Sequence, residues 1–384
     1  MLNTATMRAL ITQRVDRRWG NLHVDDRELA RRIRRELPPK AFQHGSKRAL
    51  IAVPLIVGII TLNFVLIAEP LRAFSALVSA LALGNLYVSL FFFGHEAGHG
   101  AATRSRHLQS LLMYAGFWIF CLSPHLWRVW HNRVHHGYTN RAGYDPDNFG
   151  DVQSYVRFPA TNFLLKVGPG SGHWLSLIYF PTWFTALAQG VLWIKSRRMA
   201  GFGQLNRVRA AIDSALMAAS WAALGVRVGI WRSLLVIVLP MMTANAIAMA
   251  YISTNHLLRP QVEGYNVLDS SMSVTTYRLL DRLHFHFSHH VEHHLFPSMN
   301  THYAPFVRSI LRRLAGDRFL APSHRQALMV LFRTPRVYDG VHALVDPQRE
   351  LRVRFQDIDG ALWRGDTLIP VERGGATFLE TIVS

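Results

Sequence analysis

The sequence predicts an all-α integral membrane protein with four transmembrane helices. Two observations predict this fold class: long runs without a charged residue, and a large basic excess that flanks those runs. The chain has 384 residues, 50% of them hydrophobic, and carries 42 Lys and Arg against 24 Asp and Glu. Soluble proteins of this apolar content usually spread it in periodic stripes, whereas here it is concentrated in uninterrupted segments.

The first two predicted spans form a hairpin. Residues 49–68 and 73–94 contain no charged residue, and each reaches the length of about 20 residues that a bilayer requires. The segment between them, Glu69-Pro70-Leu71-Arg72, is typical of a tight turn. Twelve Lys and Arg lie within residues 1–48. This arm, with a helix expected around Arg27–Leu37, is therefore predicted to be cytoplasmic.

The second half offers three apolar candidates, of which two are expected to span if both flanks are cytoplasmic. Hydropathy favours 174–194, but five basic residues lie between 195 and 209 without an acid. Because basic residues belong on the cytoplasmic side, we predict spans near 208–226 and 231–252, with 174–194 lying along the membrane. Residues 108–122 are too short to span comfortably and are expected to form an interfacial or re-entrant helix.

The predicted organisation has three parts. A basic cytoplasmic arm covers residues 1–48, a membrane domain covers 49–310, and a polar, basic cytoplasmic tail covers 311–384. Cys121 is the only cysteine, which excludes a disulfide within the chain, a cysteine-based zinc finger and an iron–sulfur cluster. Any bound metal must therefore be held by nitrogen and oxygen atoms.

Histidines are concentrated in three short segments. The chain has 20 histidines, and the segments "HEAGH", "HNRVHH" and "HVEHH" hold eight of them at spacings of three and four. Such spacings place side chains on one helical face, so each segment can offer convergent imidazoles. Since these segments adjoin apolar spans, a metal site is a better explanation than isolated surface histidines.

The first segment, His95-Glu96-Ala97-Gly98-His99, also matches the H-E-x-x-H pattern of zinc metalloproteases. A catalytic zinc needs only three protein ligands, so that hypothesis leaves five or six clustered histidines without a role. Imidazole suits zinc, copper, iron and nickel alike. The number of ligands favours two metal ions in an all-histidine shell, and iron is preferred because a membrane chain without another redox motif suggests oxygen chemistry on apolar substrates.

The order H-x-x-x-H, H-x-x-x-H-H and H-x-x-H-H, closed by "HHLFP", resembles the integral-membrane fatty acid desaturase/hydroxylase family over residues 49–310. Within it, the chain is most similar to bacterial acyl-lipid desaturase-like enzymes. The resemblance implies four transmembrane helices below a cytosolic helical cap that holds two irons, in a bacterial inner membrane with both termini cytoplasmic. It also implies eight metal ligands: His95, His99, His131, His135, His136, His290, His293 and His294.

A ninth ligand is expected at His256, because family members usually carry a histidine near the end of the last span. Related acyl-CoA desaturases also carry an Asn four residues before that histidine, where it holds a metal-bound water. Here Ile252 stands at that position and Asn255 is adjacent instead, so this second role does not transfer. The alternative for His256 is an ordinary interfacial histidine.

Three carboxylates are candidate site residues beside the histidines. Ligating histidines commonly need a carboxylate or carbonyl on the other ring nitrogen, and Glu96 and Glu292 are expected to fill this role, with a solvated helix face as the alternative. Asp145, in the predicted turn Asp145-Pro146-Asp147, can equally orient a histidine.

Neighbouring histidines and aromatic residues have simpler expected roles. At least two of His284, His286 and His289 are expected to be surplus and solvated. The aromatic residues Phe91 to Phe93, Trp127 and Trp130 are expected to serve packing or interface anchoring, with the lining of an acyl tunnel as the alternative.

The activity implied by the resemblance is oxygen-dependent, di-iron desaturation of a fatty acyl chain, with two Fe ions (Fe2+/Fe3+) as cofactor and O2 as co-substrate. The implied substrate is a fatty acyl group on lipid, CoA or carrier protein, or the free acid. Electrons must come from an external donor such as ferredoxin, and the basic cytoplasmic face would attract such an acidic protein as well as anionic membrane lipid. No nucleic acid partner is expected.

Several other functions remain open from the sequence. The same di-iron site can support an acyl hydroxylase or a fatty acid decarboxylase that forms a terminal alkene. A membrane zinc metalloprotease and a non-catalytic metal carrier are more distant alternatives. The protease hypothesis makes Glu96 essential and His131 and His293 dispensable, whereas the di-iron hypothesis predicts the reverse.

Overall fold

The computed structural model describes residues 25–69, 72–147, 149–158 and 162–374, and it is mostly helical. The helices are α1 Arg27–Glu36, α2 Ala52–Ala68, α3 Ala73–Gly98, α4 Arg106–Phe117, α5 Pro124–Val129, α6 Val152–Arg157, α7 Asn162–Val167, α8 Tyr179–Gly190, α9 Ser196–Arg198, α10 Arg207–Val228, α11 Ile230–Ser233, α12 Leu239–His256, α13 Val267–Ser270, α14 Arg278–Leu283, α15 His290–Leu295, α16 Ala304–Leu314, α17 His324–Arg333 and α18 Phe355–Arg364. The predicted N-terminal helix is confirmed as α1, and residues 1–24 of the basic arm lie outside the described residues.

Five helical segments of the described chain are long and apolar enough to cross a membrane: Lys47–Ala68, Ala73–Gly98, Trp174–Arg198, Arg207–Val228 and Ile230–His256. They include the four predicted spans. The fifth covers residues 174–194, whose orientation along the membrane stays a prediction, as does the count of four.

The short apolar segment at 108–122 forms half of a sharply bent pair. Arg106–Phe120 and Pro124–His135 are inclined by 106° to each other. The chain reverses at Cys121, whose φ is 50°, and a new helix begins with Ser123 as its cap and Pro124 at its first turn. Proline at this position starts a helix without loss of a hydrogen bond. A bend of this size fits a broken span as well as a re-entrant segment.

Helix α3 is the centre of the helical bundle and packs against α2, α4 and α12. It approaches α12 closely at Gly84, where a Cβ atom would lie 2.6 Å from Thr243 Cβ and 2.7 Å from the Pro240 carbonyl oxygen. Such distances admit only glycine. Because His95 of α3 and His256 of α12 also line one cavity, the two helices bring their C-terminal ends to the same place.

The prediction of an all-α chain is wrong for the C-terminal tail. Strands β1 Val337–Asp339, β2 Ala343–Asp346, β3 Leu351–Arg354 and β4 Glu372–Arg373 form an antiparallel sheet in the order β1-β2-β3-β4. The segments are only two to four residues long, and strands this short give little alternation to read in a sequence.

This tail packs against the membrane domain. Tyr338, Leu344 and Phe355 are buried in the same hydrophobic cluster as residues of α3 and α12. The buried guanidinium of Arg336 donates hydrogen bonds to the carbonyl oxygens of Pro169 and Leu257, which joins the start of the sheet to the loops beside α7 and α12. The division at residue 311 stays a prediction.

Candidate metal centre

Four structural elements supply the nine predicted ligands. Helix α3 carries His95 in its last turn and is followed directly by His99, and α12 ends at His256. A π-helical turn, Trp130–His135, continues α5, and α15 begins at His290. In the π turn the amide of His136 bonds to the carbonyl oxygen of His131 at 3.0 Å. This wider turn, which is frequent at functional sites, brings the Nε2 atoms of His131 and His136 to 3.2 Å.

The histidines divide into two groups that cut across the three sequence segments. In the first, the candidate ligand atoms of four histidines lie within 4.8 Å of one another: His95, His99, His131 and His293. His95 Nε2 and His131 Nε2 are 2.9 Å apart. His136 joins this group because its Nε2 lies 3.2 Å from His293 Nε2.

The second group contains His135, His256, His290 and His294, whose candidate ligand atoms also lie within 4.8 Å of one another. The Nε2 atoms of His256 and His290 are 2.7 Å apart, and those of His294 and His290 are 3.1 Å apart. The structure thus brings all nine predicted histidines together. Their role as metal ligands stays a prediction.

The two groups fit metal ions on chemical grounds. Nε2 atoms converge in pairs, and buried His99 Nε2 and His290 Nδ1 have no hydrogen-bond partner in the described chain. Burial, followed by the neighbouring His135, lowers the pKa of His293 to about 3, and burial also lowers the pKa values of His136 and His294. These three imidazoles are therefore neutral, with free lone pairs, which is the state that binds a metal. For His135, burial is outweighed by the carboxylates of Asp145 and Asp147, which raise its pKa to about 9.

Trp127 and Gly98 help to position the histidine rings of the first group. The indole of Trp127 stacks on His131, with ring centroids 4.7 Å apart, and its edge contacts His95 and His99. A Cβ atom at Gly98 would overlap the Trp127 ring. The glycine of "HEAGH" is therefore needed for the close approach of Trp127 to the histidines.

Asp145 contacts a predicted ligand, as the sequence suggested. Its Oδ1 and Oδ2 lie 3.1 and 3.2 Å from His135 Nδ1, which leaves Nε2 free to face the second group. Asp147 was missed by the sequence reasoning, although it stands in the same turn. Its Oδ2 lies 3.2 Å from His135 Nδ1, and its Oδ1 accepts a hydrogen bond from the Trp130 indole at 2.6 Å. The two aspartates of Asp145-Pro146-Asp147, which follow "HNRVHH", are the sequence feature that could have identified Asp147.

Glu96 does not orient a histidine, so that prediction is wrong. Both of its oxygens accept hydrogen bonds from the Arg48 guanidinium, at 2.7 and 2.8 Å, and Oε2 accepts a third from Thr301 at 3.0 Å. Neighbouring residues on a helix point about 100° apart, and Glu96 therefore turns away from His95. This arrangement removes the general base that the zinc protease hypothesis requires.

Glu292 also differs from the prediction, because its imidazole partner is not one of the predicted ligands. Its Oε1 lies 3.2 Å from His289 Nδ1 and accepts a hydrogen bond from Arg308 at 2.6 Å, while Oε2 accepts one from Ser273 at 2.5 Å. Although burial alone would raise it, the Arg308 charge and the His289 contact hold the pKa of Glu292 at about 2. The charged Glu292 carboxylate therefore holds the start of α15 against Arg308 and Ser273.

The expectation of solvated surplus histidines is wrong for two of the three. His284 and His289 are only 3% and 5% exposed. His284 Nδ1 lies 3.1 Å from the Tyr251 hydroxyl, and His289 packs between Glu292 and Asp281. Asp281 also lies 2.7 Å from His286 Nδ1. Tertiary contacts that no local pattern shows account for this burial.

Residues of both histidine groups line one narrow cavity. His95 and His131 of the first group and His135, His256 and His290 of the second contribute to it, with an apolar wall that includes Phe91, Phe184, Leu187 and Ile252. Its volume is about 30 Å³. Phe91, Phe92 and Phe93 are 2% or less exposed, so packing is confirmed as a role of these aromatics, and Phe91 also faces the cavity. Ile252 thus supplies surface to the cavity.

Several known proteins are similar to this chain in sequence. A family model described as fatty acid desaturase matches residues 72–326, a region that contains all nine histidines. The sn-1 oleoyl-lipid 12-desaturase of Synechocystis sp. is 22% identical over 302 residues, which cover 74% of this chain and 81% of that protein.

Two further proteins of the same organism match shorter regions. The sn-1 linoleoyl-lipid 6-desaturase is 37% identical over 91 residues, or 23% of this chain and 24% of that protein. The sn-1 acyl-lipid omega-3 desaturase (ferredoxin) is 30% identical over 113 residues, or 29% of this chain and 31% of that protein. These two matches thus span about a quarter and about a third of the relatives' own lengths.

Proposed function

The chain belongs to the fatty acid desaturase family, and we propose that it inserts a double bond into the fatty acyl chain of a lipid, in an oxygen-dependent reaction at two iron ions. Its relatives indicate an oxidoreductase. The observation that carries the proposal is the pair of converging histidine groups, both of which line one narrow cavity with an apolar wall.

The two groups divide the proposed metal ligands. His95, His99, His131, His136 and His293 would hold one iron, and His135, His256, His290 and His294 would hold the other. When bound, the irons would supply the activation of O2 that removes two hydrogens from neighbouring carbons of the acyl chain.

The protein's own contribution is positioning. Phe91, Phe184 and Leu187 offer a wall against which a methylene chain can lie, and Trp127 closes the cavity from the side of His131. A wall of this kind excludes water and presents one short stretch of the chain to both histidine groups. Asp145 and Asp147 fix the ring of His135 so that its Nε2 faces inward.

An external protein would supply the electrons. The formal net charge of +18 favours approach of an acidic donor, and one similar protein carries ferredoxin in its name. We therefore propose a ferredoxin-type partner and an integral membrane location, in a bacterial inner membrane with the histidine groups facing the cytoplasm.

The test combines metal content with product analysis. Protein purified in detergent is expected to contain close to two irons per chain by elemental mass spectrometry, and cells that express it with a ferredoxin and its reductase are expected to accumulate lipids with one more double bond. His135→Ala and His293→Ala should each lower the iron content and remove the product, whereas His107→Ala, at an exposed position of α4, should change neither. One zinc per chain, or an iron protein that yields a hydroxylated or decarboxylated chain, would overturn the proposal.

A further inference from the structure

A second and larger cavity is lined in part by Arg48, the residue that pairs with Glu96. Its volume is about 850 Å³, and the residues that define it here are Arg48, Leu55, Arg278, Arg282, His286 and Arg308. We refer to it as the interfacial vestibule. No residue of the vestibule has a role in the proposed reaction, so its size and composition need a separate explanation.

The vestibule borders the membrane. Ile51, Pro54 and Leu55, at the start of the first candidate span, form part of its wall. Tyr277 and Leu279, on either side of the lining residue Arg278 at the start of α14, are 81% and 78% exposed. Large apolar side chains exposed next to arginines are typical of a short segment that lies in the bilayer interface. The vestibule therefore opens where lipid headgroups meet the protein.

The charge of the vestibule is positive and partly unpaired. Arg48 and Arg308 are neutralised by Glu96 and Glu292. Asp281, the one acid among the lining residues, lies 2.7 Å from His286 Nδ1 and accepts a hydrogen bond from Ser288 at 2.5 Å.

Two arginines of the vestibule differ from the others. Arg278 and Arg282 have no ion pair within the part of the chain that the structure describes, although both line the vestibule. They stand four positions apart in α14, so they project from the same face of the helix one turn apart. Two guanidinium groups in this arrangement are suited to the bidentate recognition of one phosphate.

The vestibule adjoins the histidine groups. Phe285, His286, His289 and Thr301 line both the vestibule and a narrow cavity that reaches His95 and His293. That narrow cavity in turn shares Phe287 and His95 with the cavity between the two groups. The vestibule is thus separated from the cavity beside the proposed irons by these shared side chains.

The loop that contains Phe285 and His286 is held in an unfavourable backbone conformation. Phe285 and His286 have φ values of 52° and 58°, in the left-handed region, which costs a non-glycine residue roughly 1–2 kcal/mol. Such strain is common where a ligand is positioned. Here it places Phe285 at the boundary between the vestibule and the narrow cavity.

We propose that the interfacial vestibule binds the phosphate of a membrane phospholipid, with Arg278 and Arg282 as its ligands. The further step, that this lipid is the acyl substrate, rests on the function proposed above. The position at the bilayer boundary favours a phospholipid over acyl-CoA, which approaches from water. The exposed Tyr277 and Leu279 favour the same source, because they would insert among the lipid tails.

Binding of a fluorescent dioleoyl-phosphatidylglycerol to the full-length protein in mixed detergent micelles tests the proposal. The double substitution Arg278→Ala/Arg282→Ala is expected to weaken binding about tenfold, since it removes charge-assisted hydrogen bonds to phosphate. Arg282→Lys should weaken it less, because it keeps the charge but loses the planar fork. The control Arg32→Ala/Arg35→Ala removes the same charge from exposed positions of α1 and should leave binding unchanged.

Competition identifies the chemical source of the ligand. Glycerol 3-phosphate and unlabelled phosphatidylglycerol are expected to displace the probe, with the lipid acting at a lower concentration. Displacement by oleate but not by glycerol 3-phosphate would assign the site to a carboxylate and overturn the proposal. It would also be overturned by a double variant that binds as tightly as the unaltered protein, or by a site that oleoyl-CoA alone occupies.

The binding measurement needs neither oxygen nor an electron donor. Arginine-dependent lipid binding would therefore persist in a protein that makes no double bond. Failure of the proposed desaturation would not affect this binding test. Conversely, a protein that makes the double bond but binds phosphatidylglycerol equally well without Arg278 and Arg282 would overturn the vestibule proposal alone.

Discussion

The Nε2 atoms of His256 and His290 lie 2.7 Å apart although the residues are 34 positions apart in the chain. One is the last residue of α12, and the other is the first of α15. Two buried imidazole nitrogens at this distance can share one hydrogen bond. Their convergence with His135 and His294 is what suggests the ligand set of one metal ion.

His256→Ala is expected to remove one of the two metal ions. The second histidine group would retain only His135, His290 and His294, whereas the first group loses nothing. Elemental mass spectrometry should give about one iron per chain instead of two. The exposed His107→Ala serves as the control. Full iron occupancy in the His256 variant would show that this histidine is not a ligand.

Asp145→Asn is expected to weaken iron retention by about 10- to 100-fold, the usual effect of removing a partner that orients a ligating histidine. The amide loses the negative charge beside His135 Nδ1, while Asp147 still lies 3.2 Å from the same atom. Dialysis against a chelator followed by metal analysis measures the change. The Asp145→Asn/Asp147→Asn pair should lose iron faster still. Glu263→Gln, at a side chain 83% exposed, should behave as the unaltered protein does.

Glu96→Gln is expected to lower stability rather than remove metal. It breaks a buried ion pair with Arg48, and loss of one partner from such a pair costs about 3 kcal/mol. Thermal unfolding in detergent should show the lower Tm, with iron content unchanged before heating. Asp25→Asn, in an exposed pair with Arg27, is the control and should leave Tm unaltered. A stable Glu96→Gln protein without activity would instead support a role as catalytic base.

Gly98→Ala is expected to disturb the first histidine group through Trp127. The added Cβ would overlap the indole ring that stacks on His131, and overpacking of this kind costs about 1–3 kcal/mol. We expect lower Tm and reduced iron content together. Gly190→Ala provides a matched control, because its Cβ would meet nothing within 4 Å in a helix, and it should be neutral. Equal behaviour of the two variants would contradict the packing argument.

Much of the molecule was accessible from the sequence. Uncharged runs located α2, α3 and α12, histidine spacing identified eight of the nine residues that converge in the structure, and the family resemblance added His256. The carboxylates were less accessible. Asp145 contacts His135, ten positions before it. Glu96 instead pairs with Arg48, 48 positions before it, and Glu292 pairs with Arg308, 16 positions after it. Their expected roles failed because the partners come from other helices.

The C-terminal sheet and the vestibule were also beyond sequence reasoning. Strands of two to four residues carry too little pattern to recognise, and the sheet depends on contacts such as that between Tyr338 and Gly150, which lie far apart in the chain. Arg278 and Arg282 look like an ordinary basic helix face until the first span and α16 are packed beside them.

The sequence by itself determined that the chain is a membrane protein with three histidine segments at helical spacing, because hydropathy and spacing within a helix are local properties. Only the tertiary structure decided how those histidines divide into two groups, with His293 in the first and His290 and His294 in the second. Each group draws on side chains from separate helices. Their meeting depends on which helices pack together, as α3 and α12 do at Gly84, and local pattern does not encode that choice.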